Sequence, residues 1–191
     1  NGRSETLLSF SMAGGIWAAS NGVLALIRGL NKAYGDKETR PFWKTRGIAV
    51  LFTLGLALSI LLSLVLLVFG RAFGEYIFSL IGFSRLFGPV WDFIRLLLTL
   101  SIMMLVFIFM YRYIPSRRLC FREVFPGSLF STAGWIIISL AFSFYVNNFS
   151  NYSNMYGSIG GIIVLLIWLY LSSVIILTGG ELNAILTTTH T

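Results

Sequence analysis

The sequence predicts an all-α integral membrane protein: a bundle of about five transmembrane helices with a short interfacial helix, forming a single domain over residues 1–191. Three observations carry that reading. Only 11% of the residues are charged and 57% are hydrophobic, with a mean hydropathy of +0.84, whereas a soluble domain carries about 25% charged residues to meet water. The 57 residues between Glu123 and Glu181 contain no Asp, Glu, Lys or Arg, and one span takes roughly 20 apolar residues, so this stretch alone holds two. The remaining charges gather in short segments between apolar runs. A buried hairpin in a soluble core would need far more surrounding protein than this chain supplies.

The first span is expected over 7–30. It is dotted with Ser9, Ser11, Ser20 and Asn21, and Gly14, Ala18 and Gly22 recur every four residues, a small-residue face that lets another helix approach in lipid. Its flank, Arg28 to Arg46, carries six Lys or Arg with the turn residues Gly35 and Asp36. The second span, 47–70, is 24 residues without a charge. Residues 71–88 mix Phe, Tyr, Leu and Ile with Arg71, Glu75 and Arg85, a pattern that fits a short helix lying in the headgroup region. Pro89 suits the first turn of the third span, 89–113, because its missing N–H costs nothing there, and Pro115 ends it. Pro126 and Gly127 are expected to open the fourth span, 126–149. The polar, uncharged turn Asn147 to Asn154 leads to the fifth, 156–186.

Lys and Arg set the orientation. The loop after span one has six, and the loop after span three has four: Arg112, Arg117, Arg118 and Arg122. The loop after span two has only Arg71 and Arg85, and the loop after span four has none. Loops one and three are therefore expected in the cytoplasm, the Asn-rich turn outside and the C-terminus inside. The chain begins with Asn1 rather than Met, so a fragment or processed product is expected, and an odd number of spans starting outside implies a further span upstream. One cysteine, Cys120, and one histidine, His190, offer neither a disulfide nor the three or four ligands that zinc takes. No catalytic group, metal or cofactor is expected.

Three blocks resemble the YihY/virulence factor BrkB family. They are Ala33-Tyr34-Gly35 with Glu38 to Lys44, Tyr111 to Pro115 with Phe125-Pro126-Gly127, and Tyr145 through Tyr156-Gly157-Ser158-Ile159-Gly160-Gly161 to Trp168-Leu169-Tyr170 and Gly180-Glu181-Leu182-Asn183-Ala184. The resemblance covers nearly the whole chain in order. It implies a multi-pass protein of the bacterial cytoplasmic (inner) membrane, with six spans in the full-length pattern, both termini cytoplasmic and the first span missing here. Family members have carried the labels ribonuclease BN and serum-resistance factor, and transport is often supposed for them.

The residues offer few candidates for chemistry. Glu181 and Asn183 follow a long apolar run, and an acid inside a membrane helix is costly enough to need a partner or a watery cavity. Glu181 reads either as a proton or cation relay or as an interfacial carboxylate paired with an arginine such as Arg40, Arg112 or Arg117. The expectation taken here is that it faces inward. Asp92 and Arg95, three apart on one helix face, read as a local ion pair or as an arginine turned into a cavity, and Asn21 could line the same cavity. Gly14, Gly22, Gly157 and Gly161 are candidate helix-packing positions, with a broken helix start at Gly157 to Gly161 as the alternative. Arg40, Trp43, Lys44, Arg117 and Arg118 suit the lipid interface.

Ribonuclease chemistry is not expected, because it needs an acid/base pair or metal-held carboxylates and the seven acids stand singly. The leading functional reading is transporter-like movement of a small solute or lipid through a polar cavity within the bundle. The alternative is a non-catalytic envelope protein that organises lipids or partner proteins. Membrane lipids and an unknown solute are the expected partners, nucleic acid is not, and a homo-oligomer is left open.

Overall fold

The computed structural model describes residues 2–81, 87–149 and 153–189. These form five helices: α1 (Gly2–Ala33), α2 (Phe42–Ile81), α3 (Phe87–Tyr113), α4 (Phe121–Phe149) and α5 (Ser153–Thr189). Each contains a stretch long and apolar enough to cross a membrane: Glu5–Ala33, Phe42–Leu62, Val90–Tyr113, Phe121–Asn147 and Gly160–Thr187. Large apolar side chains such as Leu51, Leu58, Leu97, Ile137 and Leu166 are exposed along them. Acyl chains satisfy such surfaces, since in lipid only the backbone polar groups must be paired internally, and a helix pairs its own.

Sequence explains most of the helix ends. Gly35 has φ 69°, the left-handed conformation glycine adopts without a Cβ penalty. It lets the Gly35 N–H reach the Lys32 carbonyl at 3.1 Å and the Asp36 N–H the Asn31 carbonyl at 2.9 Å, the paired bonds of a Schellman motif that close α1. Pro41 supplies the carbonyl that the Lys44 and Thr45 N–H groups use at 3.0 and 3.2 Å to begin α2. Pro89 sits in the first turn of α3, and Pro115 stops that helix two residues after Tyr113, because proline disfavours helical geometry in the residue before it.

Two boundaries differ from expectation. α4 starts at Phe121, five residues before Pro126. The Glu123 carboxylate accepts from the Cys120 N–H at 2.5 Å while the Glu123 N–H bonds the Cys120 carbonyl at 3.1 Å. That is the acidic half of a capping box, and it secures a helix start upstream of the proline. Residues 71–81 prolong α2 as one helix of 40 residues rather than beginning a separate one, since no proline intervenes and Gly74 alone does not break a helix. The rest of the segment expected at the interface includes residues 82–86, which lie outside the described residues, as do 150–152 of the polar turn.

The chain forms two compact units. One comprises Asn1–Ala25 with Arg40–Met103, the other Leu26–Thr39 with Met104–Thr191. In the first, Ser20, Val23, Arg46 and Ala49 are buried. In the second, α4 and α5 pack along each other, around a core that includes Ile27, Leu30, Tyr111, Ile114 and Val124.

Candidate functional site

In the second unit the polar groups of α3, α4 and α5 pair with one another. Pro126 lies inside α4, where its ring pushes away the preceding turn and its missing N–H removes a helix bond. The fully buried side chain of Asn183, on α5, fits against that loosened turn. Its Oδ1 accepts from the Gly127 N–H at 2.7 Å and its Nδ2 donates to the Val124 carbonyl at 3.4 Å. The approach is close because glycines face each other. A Cβ on Gly127 would collide with the Gly179 carbonyl and the Asn183 carboxamide, and one on Gly179 with Ser131 and Tyr111. The Tyr111 hydroxyl meets the Ser131 hydroxyl at 2.5 Å and donates to the Ile176 carbonyl at 2.7 Å.

The same unit closes the end of α1 with a triangle of side chains. Asn31 Nδ2 donates to Glu38 Oε2 at 2.9 Å, the Ser116 N–H donates to Asn31 Oδ1 at 2.8 Å, and the Ser116 hydroxyl donates to Glu38 Oε1 at 3.0 Å. Nearby, the Tyr34 hydroxyl is buried close to the Asn183 side chain. Burial pushes its pKa up to about 12, Glu123 adding to the rise while the Asn183 side chain and the Arg117 charge oppose it. A cavity of ≈ 320 Å³ opens beside the triangle, lined by Arg28, Asn31, Lys32, Gly35, Asp36 and Glu38. A second, of ≈ 340 Å³, is apolar and lies between α4 and α5, with Phe142, Tyr145 and Leu171 among its walls.

The first unit holds a different arrangement around Arg46. This arginine lies one turn inside α2, within the apolar span Phe42–Leu62, and is only 6% exposed. Its guanidinium lies 3.5 Å from the centroid of the Trp17 ring. Nη1 donates to Asn21 Oδ1 at 2.7 Å and Nη2 to the Trp17 carbonyl at 3.1 Å. That carbonyl also accepts from the Ser20 hydroxyl at 2.8 Å, and among the described residues the buried Nε has no acceptor. Every acceptor Arg46 uses is therefore neutral. A cation inside a span needs such partners, and the ring quadrupole of Trp17 contributes roughly 0.5–2 kcal/mol towards holding it.

The structure distributes the expected residues differently from the sequence reading. Asn183 is inside and Glu181 is outside: Glu181 is exposed, and among the described residues it makes no ion pair or hydrogen bond. The reason is helical phase. Residues 172, 179, 180, 183 and 187 form the buried face of α5, and two residues correspond to about 200° of rotation, which turns Glu181 away from that face. The inward placement expected for it is thus corrected. Arg95 and Asp92 are exposed and form the local pair, 3.8 Å apart, rather than turning Arg95 into a cavity. Asn21 holds Arg46. A Cβ at Gly14, Gly22 or Gly161 would meet nothing within 4 Å, so the close contacts expected there occur instead at Gly29, Gly127, Gly134, Gly179 and Gly180. The surroundings of Gly157 lie outside the described residues. Trp43 and Lys44, like Arg117 and Arg118, are exposed, and Arg40 is half-buried.

Sequence reasoning missed Arg46, counting it only among loop cations. A signal existed: Asn21 in span one and an arginine directly before a 24-residue uncharged run each need a polar partner at membrane depth. It also missed Tyr34 and Glu38 as individual groups, although each lies in a block that carries the family resemblance, and it expected Tyr111, which is fully buried, at the membrane interface.

Five apolar helices with polar side chains paired between them define a polytopic helical membrane protein. More narrowly, the chain belongs to the virulence factor BrkB family, whose sequence model matches residues 1–191. It is 46% identical over 186 residues to a Bacillus subtilis (strain 168) protein named ribonuclease-like protein YfkH, covering 97% of this chain and 68% of that one. A UPF0761 membrane protein of Pseudoalteromonas translucida is 34% identical over 111 residues, 58% of this chain and 37% of the relative. Another, of Alteromonas mediterranea, is 28% identical over 149 residues, 76% of this chain and 51% of the relative. The chain thus spans about two thirds of the Bacillus protein and half or less of these two UPF0761 relatives. No solved structure matches it.

Proposed function

We propose that this chain belongs to a transporter-like protein of the bacterial cytoplasmic (inner) membrane, which moves a small solute or lipid along a polar path within its helices. The observation that carries the reading is Arg46. A buried cation in a span, held only by neutral acceptors, is an expensive way to fill space, and ionisable groups at membrane depth mark substrate paths more often than packing. The test is flux of candidate anionic solutes, and transbilayer movement of labelled lipid, in proteoliposomes with wild type and Arg46→Gln. Flux in wild type that the variant loses supports the reading. Equal behaviour of wild type and protein-free vesicles for every solute and lipid would remove it.

A second reading is a non-catalytic membrane protein that organises lipids or partner proteins. The packing of the second unit favours it, because Asn183 pairs with the α4 backbone and the Tyr111 and Ser131 hydroxyls pair with each other rather than lining a channel. In both readings the C-terminus lies in the cytoplasm, as the Lys and Arg of loops one and three indicate. A cysteine at Asn147 should then react with an impermeant maleimide from outside, and Cys120 only after permeabilisation. The ribonuclease-like name of the Bacillus relative does not extend to this chain in our reading. Among the described residues no three His, Cys, Asp or Glu gather closely enough to hold a metal. Purified protein should hydrolyse no RNA above a matched control, with or without divalent cations.

A further inference from the structure

We infer that Arg46, framed by Trp17 and Asn21, is a binding site for a phosphate oxyanion, carried by a phospholipid headgroup or by free phosphate. The inference rests on reading Arg46 as functional and names the ligand class that this reading leaves open.

The charge comes first. Arg46 is 6% exposed and, among the described residues, pairs with no carboxylate. The acids of its own unit are Glu5, Glu75 and Asp92. Glu5 is 12 residues before Trp17 on α1, about 18 Å along the axis, and Glu75 is 29 residues beyond Arg46 on α2, about 44 Å away at 1.5 Å per residue. Asp92 is engaged with Arg95. The positive charge is thus balanced by neither neighbour nor helix end, since the N-terminus of α2 that lies one turn away is itself the positive end of a helix dipole.

Donor geometry comes second. A guanidinium has five N–H donors, and protein acceptors take one from Nη1 and one from Nη2. The Trp17 carbonyl is shared with Ser20, and among the described residues buried Nε has no acceptor. Trp17 covers one face of the guanidinium and Asn21 fixes the Nη1 side, so the group is held in one orientation with its Nε–H unused among the described residues. Nε–H beside an Nη2 hydrogen is the fork that donates to two oxygens of one phosphate. A water molecule would meet the Nε–H but leave the charge unbalanced. An oxyanion does both.

Position comes third. Arg46 stands one turn inside the start of the apolar stretch Phe42–Leu62, behind exposed Lys44 and Trp43, and a tryptophan and a lysine at a span's end suit the headgroup level. The two sources of phosphate are separated by experiment.

The test is binding, not flux. Purified protein in neutral detergent would be titrated with dioleoylphosphatidylglycerol, with dioleoylphosphatidylcholine and with inorganic phosphate, and followed by native mass spectrometry and thermal unfolding. Wild type should bind phosphatidylglycerol or phosphate and unfold at a higher temperature with it. Arg46→Gln should bind at least about tenfold more weakly, as expected for loss of a charge-assisted pair, while the exposed Arg122→Gln should bind within about twofold of wild type. Phosphatidylglycerol binding that millimolar phosphate does not displace assigns the site to lipid. Stabilisation by phosphate alone, with displacement, assigns it to the free anion. If Arg46→Gln fails to fold, Arg46→Lys keeps the charge and lacks the fork, and it should still bind about tenfold more weakly. Binding to neither probe, or equal binding by wild type and the Arg46 variants, overturns the inference. Arg46-dependent binding without any flux keeps this site and removes the transport reading, whereas flux with Arg46-independent binding does the reverse.

Discussion

Asn183 on α5 accepts the backbone N–H of Gly127 on α4 at 2.7 Å, in the turn that Pro126 loosens. A side chain from one helix thus repairs the backbone of another, and does so where no water reaches it. Replacing Asn183 by Leu removes both its bonds and leaves the Gly127 N–H and part of the Val124 carbonyl capacity unpaired in a buried seam. An unsatisfied buried group costs about 1–3 kcal/mol, so Asn183→Leu should lower the unfolding temperature in detergent clearly. A melting curve that overlays wild type would mean the bond contributes nothing.

The glycine contacts make a paired prediction. Gly179→Leu places carbon where Ser131 and Tyr111 stand, whereas Gly22→Leu enters open space. Overpacking costs typically 1–3 kcal/mol, so Gly179→Leu should lose stability or membrane abundance and Gly22→Leu should keep both. The reverse order would show that the first helix, not the fifth, carries the tight face.

Glu181 provides a negative control. Because it is exposed and holds no partner among the described residues, both Glu181→Gln and Glu181→Leu should accumulate in membranes and melt like wild type. Loss of folding in Glu181→Leu alone would place the carboxylate against a cation after all.

Tyr34 predicts a pH dependence outside the spans. Its pKa in the folded protein stands at about 12 against 10.0 ordinarily, chiefly through burial. Below pH 10 the phenol is neutral in both folded and unfolded chains and its contribution is complete. Between about 10 and 12 the unfolded chain releases the proton first, so stability falls as pH rises. The difference in melting temperature between wild type and Tyr34→Phe should therefore shift against wild type across that window. A difference independent of pH between 9 and 12 would mean that the hydroxyl titrates normally.

Several features were legible in the residues because they depend on local rules. Spans follow from runs of apolar side chains, the end of α1 from Gly35, and the order of the family blocks from the chain itself. The start of α4 follows a local rule of the same kind, since Glu123 stands three residues after Cys120 and caps the helix ahead of Pro126. Membership of the virulence factor BrkB family rests on the same linear information, since blocks from Tyr34 to Asn183 keep their order whatever their contacts.

Which face of each helix turns inward was not legible. In a soluble protein the apolar stripe would announce it, but in lipid both faces of a span are apolar and the hydrophobic contrast between them vanishes. Two small-residue stripes of similar appearance, Gly14-Ala18-Gly22 and Gly127 with Gly179-Gly180, therefore could not be ranked until the backbones were seen to touch only at the second. The same ambiguity decided Glu181 against Asn183. Two residues apart and both polar, they differ only by about 200° of helical rotation, and packing against α4 selected the carboxamide. The sequence alone determined that this chain crosses a membrane with its helices in this order. Tertiary structure decided which polar groups lie inside, and left Arg46 there with its charge unmatched, because that depends on how side chains far apart in the chain meet in space.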